Sequence, residues 1–306
     1  MCTGCAMRFT KKDILDIQSL DPDAISFILD TAMGMKEISQ RPVKKVPTLR
    51  GKTIVLFFQE PSTRTKLSFE IAAKRLSADS VAIAKAGSSM AKGETLIDTV
   101  KNLESMRPDV IVMRHSSSGA AVQVARRVDC AVINAGDGIH AHPTQALLDM
   151  MSVRENKGRI EGLKLAMIGD IANSRVARSN IIGFSKMGVA VSICAPRTMI
   201  PAGIADLGCT VAPTMEACVT DADVIMMLRI QKERQKDVLF PSEREYAGCF
   251  GLNKARVSLA KTDVTVMHPG PMNRGVEIAS DVADADCSMI LDQVTNGVAL
   301  RMALYY

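Results

Sequence analysis

Residues 53–76 read TIVLFFQEPSTRTKLSFEIAAKRL, and this stretch decides the fold. Thr53–Phe58 is a short apolar run with polar flanks, the pattern of a buried strand. Thr63–Leu76 then places Leu67 and Ile71 four residues apart, the spacing of one helix face. The same alternation continues outward. Val110–Met113, Ala131–Asn134, Leu163–Ile168, Val189–Ile193, Val224–Leu228 and Val264–Met267 read as further buried strands, and Thr144–Arg154 and Ser174–Met187 as helices. This order predicts an α/β fold of two domains, each with a mostly parallel sheet flanked by helices. A break near Pro143 suits proline's place in the first turn of a helix, and the strand at Leu163 restarts a second α/β set.

Composition supports a folded chain. The 306 residues are 47% hydrophobic and 23% charged, with 38 Lys+Arg against 33 Asp+Glu and a formal net charge of +5. That charge is too small for a nucleic-acid partner, and no basic block or interleaved aromatic run points to one. No apolar run approaches the roughly 20 residues that span a bilayer, so a membrane partner is not expected either. No long apolar segment follows Met1-Cys2-Thr3-Gly4-Cys5, and the reading is a cytoplasmic protein. The eight cysteines lie mostly far apart and read as small hydrophobes rather than a disulfide framework. Cys2 and Cys5 lack a second pair at zinc-like spacing.

Polar clusters follow the expected strands at their carboxyl ends, where open α/β sheets bind ligands. The sharpest is Ser62-Thr63-Arg64-Thr65, between a strand and a helix. A helix start presents unpaired N–H groups and the positive end of its dipole, and hydroxyls with a guanidinium complete a phosphate cradle. It is not a nucleotide-binding G-x-x-x-x-G-K-[ST] loop. Arg114 puts a guanidinium at another strand end, and His140, His142 and Gln145 bring imidazoles and an amide together. A neutral imidazole donating to a carbonyl oxygen suits a phosphate site better than a metal does, since no carboxylate or thiol set joins the two histidines.

Gly169–Arg175 turns from strand to helix without G-x-G-x-x-G, so no dinucleotide fingerprint is present. The spacing leaves open whether Arg175 faces a ligand or solvent. Arg229 at a strand end reads as a ligand, and Lys232–Arg234 as a solvated helix start. His268-Pro269-Gly270-Pro271 is a rigid turn that holds backbone carbonyls firmly. Lys92, in the polar loop after Ser88, adds a further cation. No acid pair, nucleophile–base triad or G-x-S-x-G stands out. The expected substrates are anions with more than one acidic group, handled by orientation and charge stabilisation.

These motifs resemble the aspartate/ornithine carbamoyltransferase family along nearly the whole chain. The ordered series comprises F-x-x-P-S-T-R-T at Phe58–Thr65, S-x-x-x-K-G-E at Ser88–Glu94, V-M-R-H at Val112–His115 and H-P-T-Q at His142–Gln145. It continues with G-D-x-x-x-S-R at Gly169–Arg175, R-x-Q-x-E-R at Arg229–Arg234, M-H-P-x-P at Met267–Pro271 and N-G-V-A-x-R-M-A-L at Asn296–Leu304.

The resemblance implies a carbamoyl-phosphate domain over 1–143 with 295–306, and an aspartate domain over 144–294. It implies that Ser62, Thr63, Arg64 and Thr65 hold the phosphate, and that Thr65, Arg114 and His142 polarise the carbamoyl carbonyl. It further implies that Gln145 orients the carbamoyl group, that Gly270 and Pro271 line the carbamoyl-phosphate site, and that the Gly270 carbonyl lies near the attacking amine. Arg175, Arg229 and Gln231 would bind the carboxylates of L-aspartate, with Ser88 and Lys92 supplied by a neighbouring subunit of a homotrimer whose sites are shared. A regulatory chain or a dihydroorotase is the further kind of partner the family suggests, and de novo pyrimidine biosynthesis the setting.

Ornithine enzymes carry H-C-L-P in the turn and an S-M-G loop; here the turn is His-Pro-Gly-Pro and S-M-G is missing. Arg229 also suits a carboxylate and would repel a cationic side chain. The expected reaction is therefore transfer of a carbamoyl group from carbamoyl phosphate to L-aspartate. The alternatives are another amino acid acceptor, or a phosphate-ligand-binding subunit without turnover. No cofactor or metal requirement is legible.

Overall fold

The computed structural model describes residues 9–84, 93–231 and 239–306. The chain divides into two compact units: Met1–Gly138 with Val298–Tyr306, and Ile139–Gly297.

The first unit runs α1 (Pro22–Gln40), β1 (Thr53–Phe58), α2 (Thr63–Arg75), β2 (Asp79–Ala84), α3 (Leu96–Ser105), β3 (Val110–His115), α4 (Ala120–Ala125) and β4 (Ala131–Asp137). Its sheet has the order β2-β1-β3-β4, with every pair parallel. Parallel neighbours need crossover connections, which the intervening helices supply. β1 is interior and buried from Ile54 to Phe58, which explains its continuous apolar run. Val55 and Phe57 share a core with Ile111, Met113, Leu103 and Val124.

One expectation needs correcting here. Arg114 and His115 do not follow the third strand; they belong to it, because Phe58 pairs with Arg114 and His115 with Asp137. The edge strand β2 is not among the expected strands, although Val81–Ala84 is apolar; its Val81 is 53% exposed.

The second unit holds α5 (Pro143–Lys157), β5 (Lys164–Ile168), α6 (Arg175–Lys186), β6 (Ala190–Cys194), β7 (Cys209–Val211), α7 (Met215–Val219) and β8 (Val224–Met227). It continues with α8 (Glu243–Phe250), α9 (Lys254–Val257), β9 (Thr265–Met267) and α10 (Ser280–Ala283). The last helix, α11, is Ile290–Tyr305. The sheet order is β7-β6-β5-β8-β9, again all parallel. Ile168, Ile225 and Val266 from three of its strands pack with Val219, Leu252 and Ile278.

In the first sheet, the chain leaves β1 toward β2 on one side and β3 toward β4 on the other. In the second, β5 leads to β6 on one side and β8 to β9 on the other. Each pair therefore marks a topological switch point, where diverging connections open a crevice at the carboxyl ends of the strands.

Candidate active site

At the first switch point, α2 opens shortly after β1. Ser62 is its N-cap in extended geometry (φ −162°, ψ 103°), but its side chain caps no amide and no acid lies in the first turn. Thr63 and Arg64 are exposed, and Ser62 and Thr65 half-buried. The Thr65 carbonyl accepts from Ser68 Oγ at 2.8 Å. The helix start thus offers backbone N–H groups and a positive dipole end, with hydroxyls and a guanidinium beside them, to an anion.

Arg114 comes from the neighbouring strand, one ladder position from its end. Its carbonyl accepts from Gln59 N at 2.9 Å, which ties the start of the β1–α2 connection to β3. Its guanidinium lies 3.3 Å from Glu60 Oε2 through Nε, and Nη1 reaches the Ala135 carbonyl at 3.5 Å. Sequence reasoning misses Glu60, whose only signal is an acid within the cluster that separates strand from helix. Asp137 supports the same strand ends, accepting from Gly119 N at 2.6 Å and from Asn134 Nδ2 at 2.8 Å. Ser88 and Lys92 lie outside the described residues, as do Cys2, Cys5 and Lys232–Arg234.

In the second unit, His142 is the N-cap of α5 and is 4% exposed. Its backbone N–H donates to Ser179 Oγ at 2.9 Å, and Thr144 Oγ1 lies 3.4 Å from its Nδ1. Gln145, in the first turn, donates through Nε2 to Asp149 Oδ1 at 2.9 Å.

The second switch point gathers the residues expected at aspartate. Gly169 follows β5 with φ +133°, and a Cβ there would stand 2.5 Å from the Leu228 carbonyl, so only glycine fits. Asp170 comes next, fully buried, and accepts from Asn173 N at 3.1 Å and from Gln231 N at 3.3 Å. Gln231 Nε2 also donates to the Asn173 carbonyl at 3.2 Å. One carboxylate therefore couples the Gly169–Arg175 turn to the segment after β8. Arg175 is the first residue of α6, capped by Ser174, and is 3% exposed. Burial of a guanidinium costs several kcal/mol unless it is paired, so it is not an ordinary solvated arginine. Arg229 and Gln231 are half-buried on either side of the buried Ile230.

The His268–Pro271 turn follows β9. Gly270 N donates to His268 Nδ1 at 2.8 Å, so the ring proton sits on Nε2, 3.2 Å from Glu277 Oε1. The Gly270–Pro271 peptide is cis and Gly270 has φ +61°. Gly270 is half-buried and Pro271 exposed.

The buried thiols are poor nucleophiles. Burial above all pushes Cys194 up to about 11 and Cys218 up to about 12, so both stay protonated at neutral pH. Among the described residues no group of His, Cys, Asp and Glu could hold a metal ion, and no helix there is long and apolar enough to cross a membrane.

Comparison with known proteins defines the class. Residues 12–155 match the aspartate/ornithine carbamoyltransferase carbamoyl-P binding domain, and residues 161–306 the Asp/Orn binding domain of the same family. The chain belongs to the aspartate/ornithine carbamoyltransferase family. Within it, the aspartate carbamoyltransferase catalytic subunit of Desulforapulum autotrophicum is 69% identical, over 98% of this chain and 96% of that one.

Solved structures agree on the fold. The catalytic subunit of M. jannaschii aspartate transcarbamoylase aligns with TM-score 0.84 at 35% identity, covering 96% of this chain and 97% of that one. The ornithine carbamoyltransferase of Pyrococcus furiosus aligns with the same TM-score, 0.84, at 32% identity, covering 96% and 95%. Backbone likeness is thus shared with both kinds of enzyme, and the acceptor is decided by side chains.

Proposed function

We propose that this chain is an aspartate carbamoyltransferase catalytic subunit that transfers the carbamoyl group of carbamoyl phosphate to L-aspartate, giving N-carbamoyl-L-aspartate and phosphate. The observation that carries this reading is the pairing of Phe58 with Arg114, which sets the Ser62–Thr65 helix start beside a strand-end guanidinium at a switch point. The domain over 1–143 with 295–306 takes carbamoyl phosphate, and that over 144–294 takes aspartate.

Ser62, Thr63, Arg64 and Thr65 hold the phosphate through backbone N–H groups, hydroxyls and the guanidinium. Arg114, Thr65 and His142 donate to the carbonyl oxygen. Thr144 Oγ1 lies 3.4 Å from His142 Nδ1, and an imidazole whose proton sits on Nε2 can donate to the carbonyl oxygen. Gln145 orients the carbamoyl NH2. Arg175, Arg229, Gln231 and Lys92 hold the aspartate carboxylates, and the Gly270 carbonyl beside Pro271 receives the amine.

The uncharged amine attacks the carbonyl carbon, and charge gathers on the oxygen to which Arg114 and His142 donate. The carbon–oxygen bond to phosphate then breaks, and the departing phosphate takes the amine proton. Donors already in place stabilise the developing charge more than the ground state, which is what accelerates the step. Ser88 and Lys92 come from a neighbouring copy in a homotrimer. A regulatory chain or dihydroorotase is the further partner, the cytoplasm the compartment, and pyrimidine biosynthesis the setting.

Phosphate release from carbamoyl phosphate, measured with aspartate, with ornithine and with no acceptor, tests the reading. Release that requires aspartate and yields carbamoyl-aspartate is expected. Release only with ornithine would keep the phosphate half of the site and overturn the acceptor half. No release with any acceptor would overturn the catalytic reading.

A further inference from the structure

One buried carboxylate on α5 collects three side-chain amides. Asp149, one turn after Gln145, is 0% exposed. Its Oδ1 accepts from Gln145 Nε2 at 2.9 Å and from Gln293 Nε2 at 2.8 Å, and its Oδ2 accepts from Asn180 Nδ2 at 2.8 Å. An ionised carboxylate only accepts, so each of these amides must turn its NH2 toward it. For Gln145 this settles which end of the amide faces Asp149 and which faces away: nitrogen inward, oxygen outward.

We propose that Asp149 is a positioning residue that presents Gln145 Oε1 as an acceptor for the NH2 of the bound carbamoyl group, so that the site distinguishes a carbamoyl group from an acetyl group of the same shape. The proposal rests on the role given to Gln145 above. A carbamoyl NH2 is a donor, whereas the methyl in its place has nothing to give, and a Gln145 turned the other way would oppose NH2 to NH2. The remaining contacts brace this orientation. Gln293 Oε1 accepts from His268 N at 2.9 Å, which ties the same carboxylate to the turn before Gly270. Asn180 belongs to α6, the helix that begins at Arg175. Rotating the Gln145 amide would break its bond to a buried acceptor, a loss larger than that of a solvated contact.

Two stable probes isolate the effect: phosphonoacetamide, which carries the amide, and acetonylphosphonate, its methyl ketone counterpart. Their dissociation constants are measured by calorimetry on the intact protein. Wild type should prefer the amide by about tenfold, the worth of one well-placed hydrogen bond. Asp149→Ala should bring that ratio near one by weakening the amide alone. If Asp149→Ala does not fold, Asp149→Leu removes the acceptor while filling the hole and is read by the same ratio.

Asp149→Asn should restore the preference. Its Oδ1 still accepts from Gln145, and Asn180 can turn its Oδ1, buried without a hydrogen-bond partner among the described residues, to the new NH2. A purely structural role would weaken both probes alike. An unchanged ratio in Asp149→Ala or Asp149→Leu, or equal weakening of both probes, overturns the proposal. A wild type that binds both probes equally overturns instead the role assigned to Gln145.

Discussion

The helices that begin at Thr63 and at Pro143, to which the proposed reading gives the phosphate and the carbamoyl group, are built in opposite ways. α2 has a single buried face, with Ser68, Phe69, Ala72 and Ala73 inside and its first turn open. α5 is buried at every residue from Pro143 to Val153. An open helix start can leave its amides to water until an anion replaces it. A helix buried all round cannot, so every polar group on it must be satisfied by the protein. On the proposed reading, the phosphate half is an electrostatic socket of backbone and hydroxyls, whereas the carbamoyl half is a set of side chains whose orientation the interior dictates.

The sharpest test lies on the strand beside that socket, at the guanidinium given to the carbamoyl carbonyl. Arg114→Ala should lower kcat by roughly 10²–10³, the scale of one lost oxyanion donor. Steady-state kinetics with unchanged kcat would remove Arg114 from that role.

Next comes the contrast in burial. Leu147, 0% exposed on α5, should cost about 2–5 kcal/mol when cut to alanine. Leu67, 52% exposed on α2, should cost no more than about 0.5 kcal/mol. Urea unfolding measures both, and a large cost at Leu67 would show that the assembled protein covers it.

The two helix-capping serines sharpen the point. Ser174 accepts from Ala177 N at 3.1 Å, so Ser174→Ala should lose about 1 kcal/mol and lower Tm. Ser62 caps no amide with its side chain, so Ser62→Ala should leave Tm in place and raise KM for carbamoyl phosphate. Equal losses of Tm would erase the distinction between a structural cap and one reserved for a ligand.

The smallest effect lies away from either helix. Asp109 accepts from Lys52 Nζ and from Thr53 N, both at 2.8 Å, and these contacts, the lysine's first, hold its carboxyl below the usual range. A depressed carboxyl stabilises the fold above its unfolded value of about 3.9 and loses that contribution as pH falls through the lower folded value. Asp109→Asn should therefore destabilise at pH 7 by under about 1 kcal/mol, because the pair is partly solvated, and by less near pH 3. A cost independent of pH would mean that the ion pair contributes nothing.

Much of this site is legible because its signals are local. Ser62–Thr65 announces itself by hydroxyls and an arginine at a helix start, and Gly169–Arg175 reads as a strand-to-helix turn, though the positive φ at Gly169 is seen only in the fold. Glu60 and Asp149 are not legible as site-forming. Each is one acid among 33, and its partner is set by folding. Asp149 does leave a faint trace, an acid inside the apolar run Leu147–Val153, where an unpaired carboxylate would not be tolerated.

The alternation of strand and helix and the parallel class were determined by the sequence alone, as was the expectation of anion binding at the junctions, since hydrophobic period and helix-start chemistry act within a few residues. The sheet orders that create both switch points, the edge position of β2 and the amide cluster on Asp149 were decided only by tertiary structure. Asp149 and Gln293 are 144 residues apart in the chain, and a contact at that separation is selected by what the folded interior brings within hydrogen-bond reach.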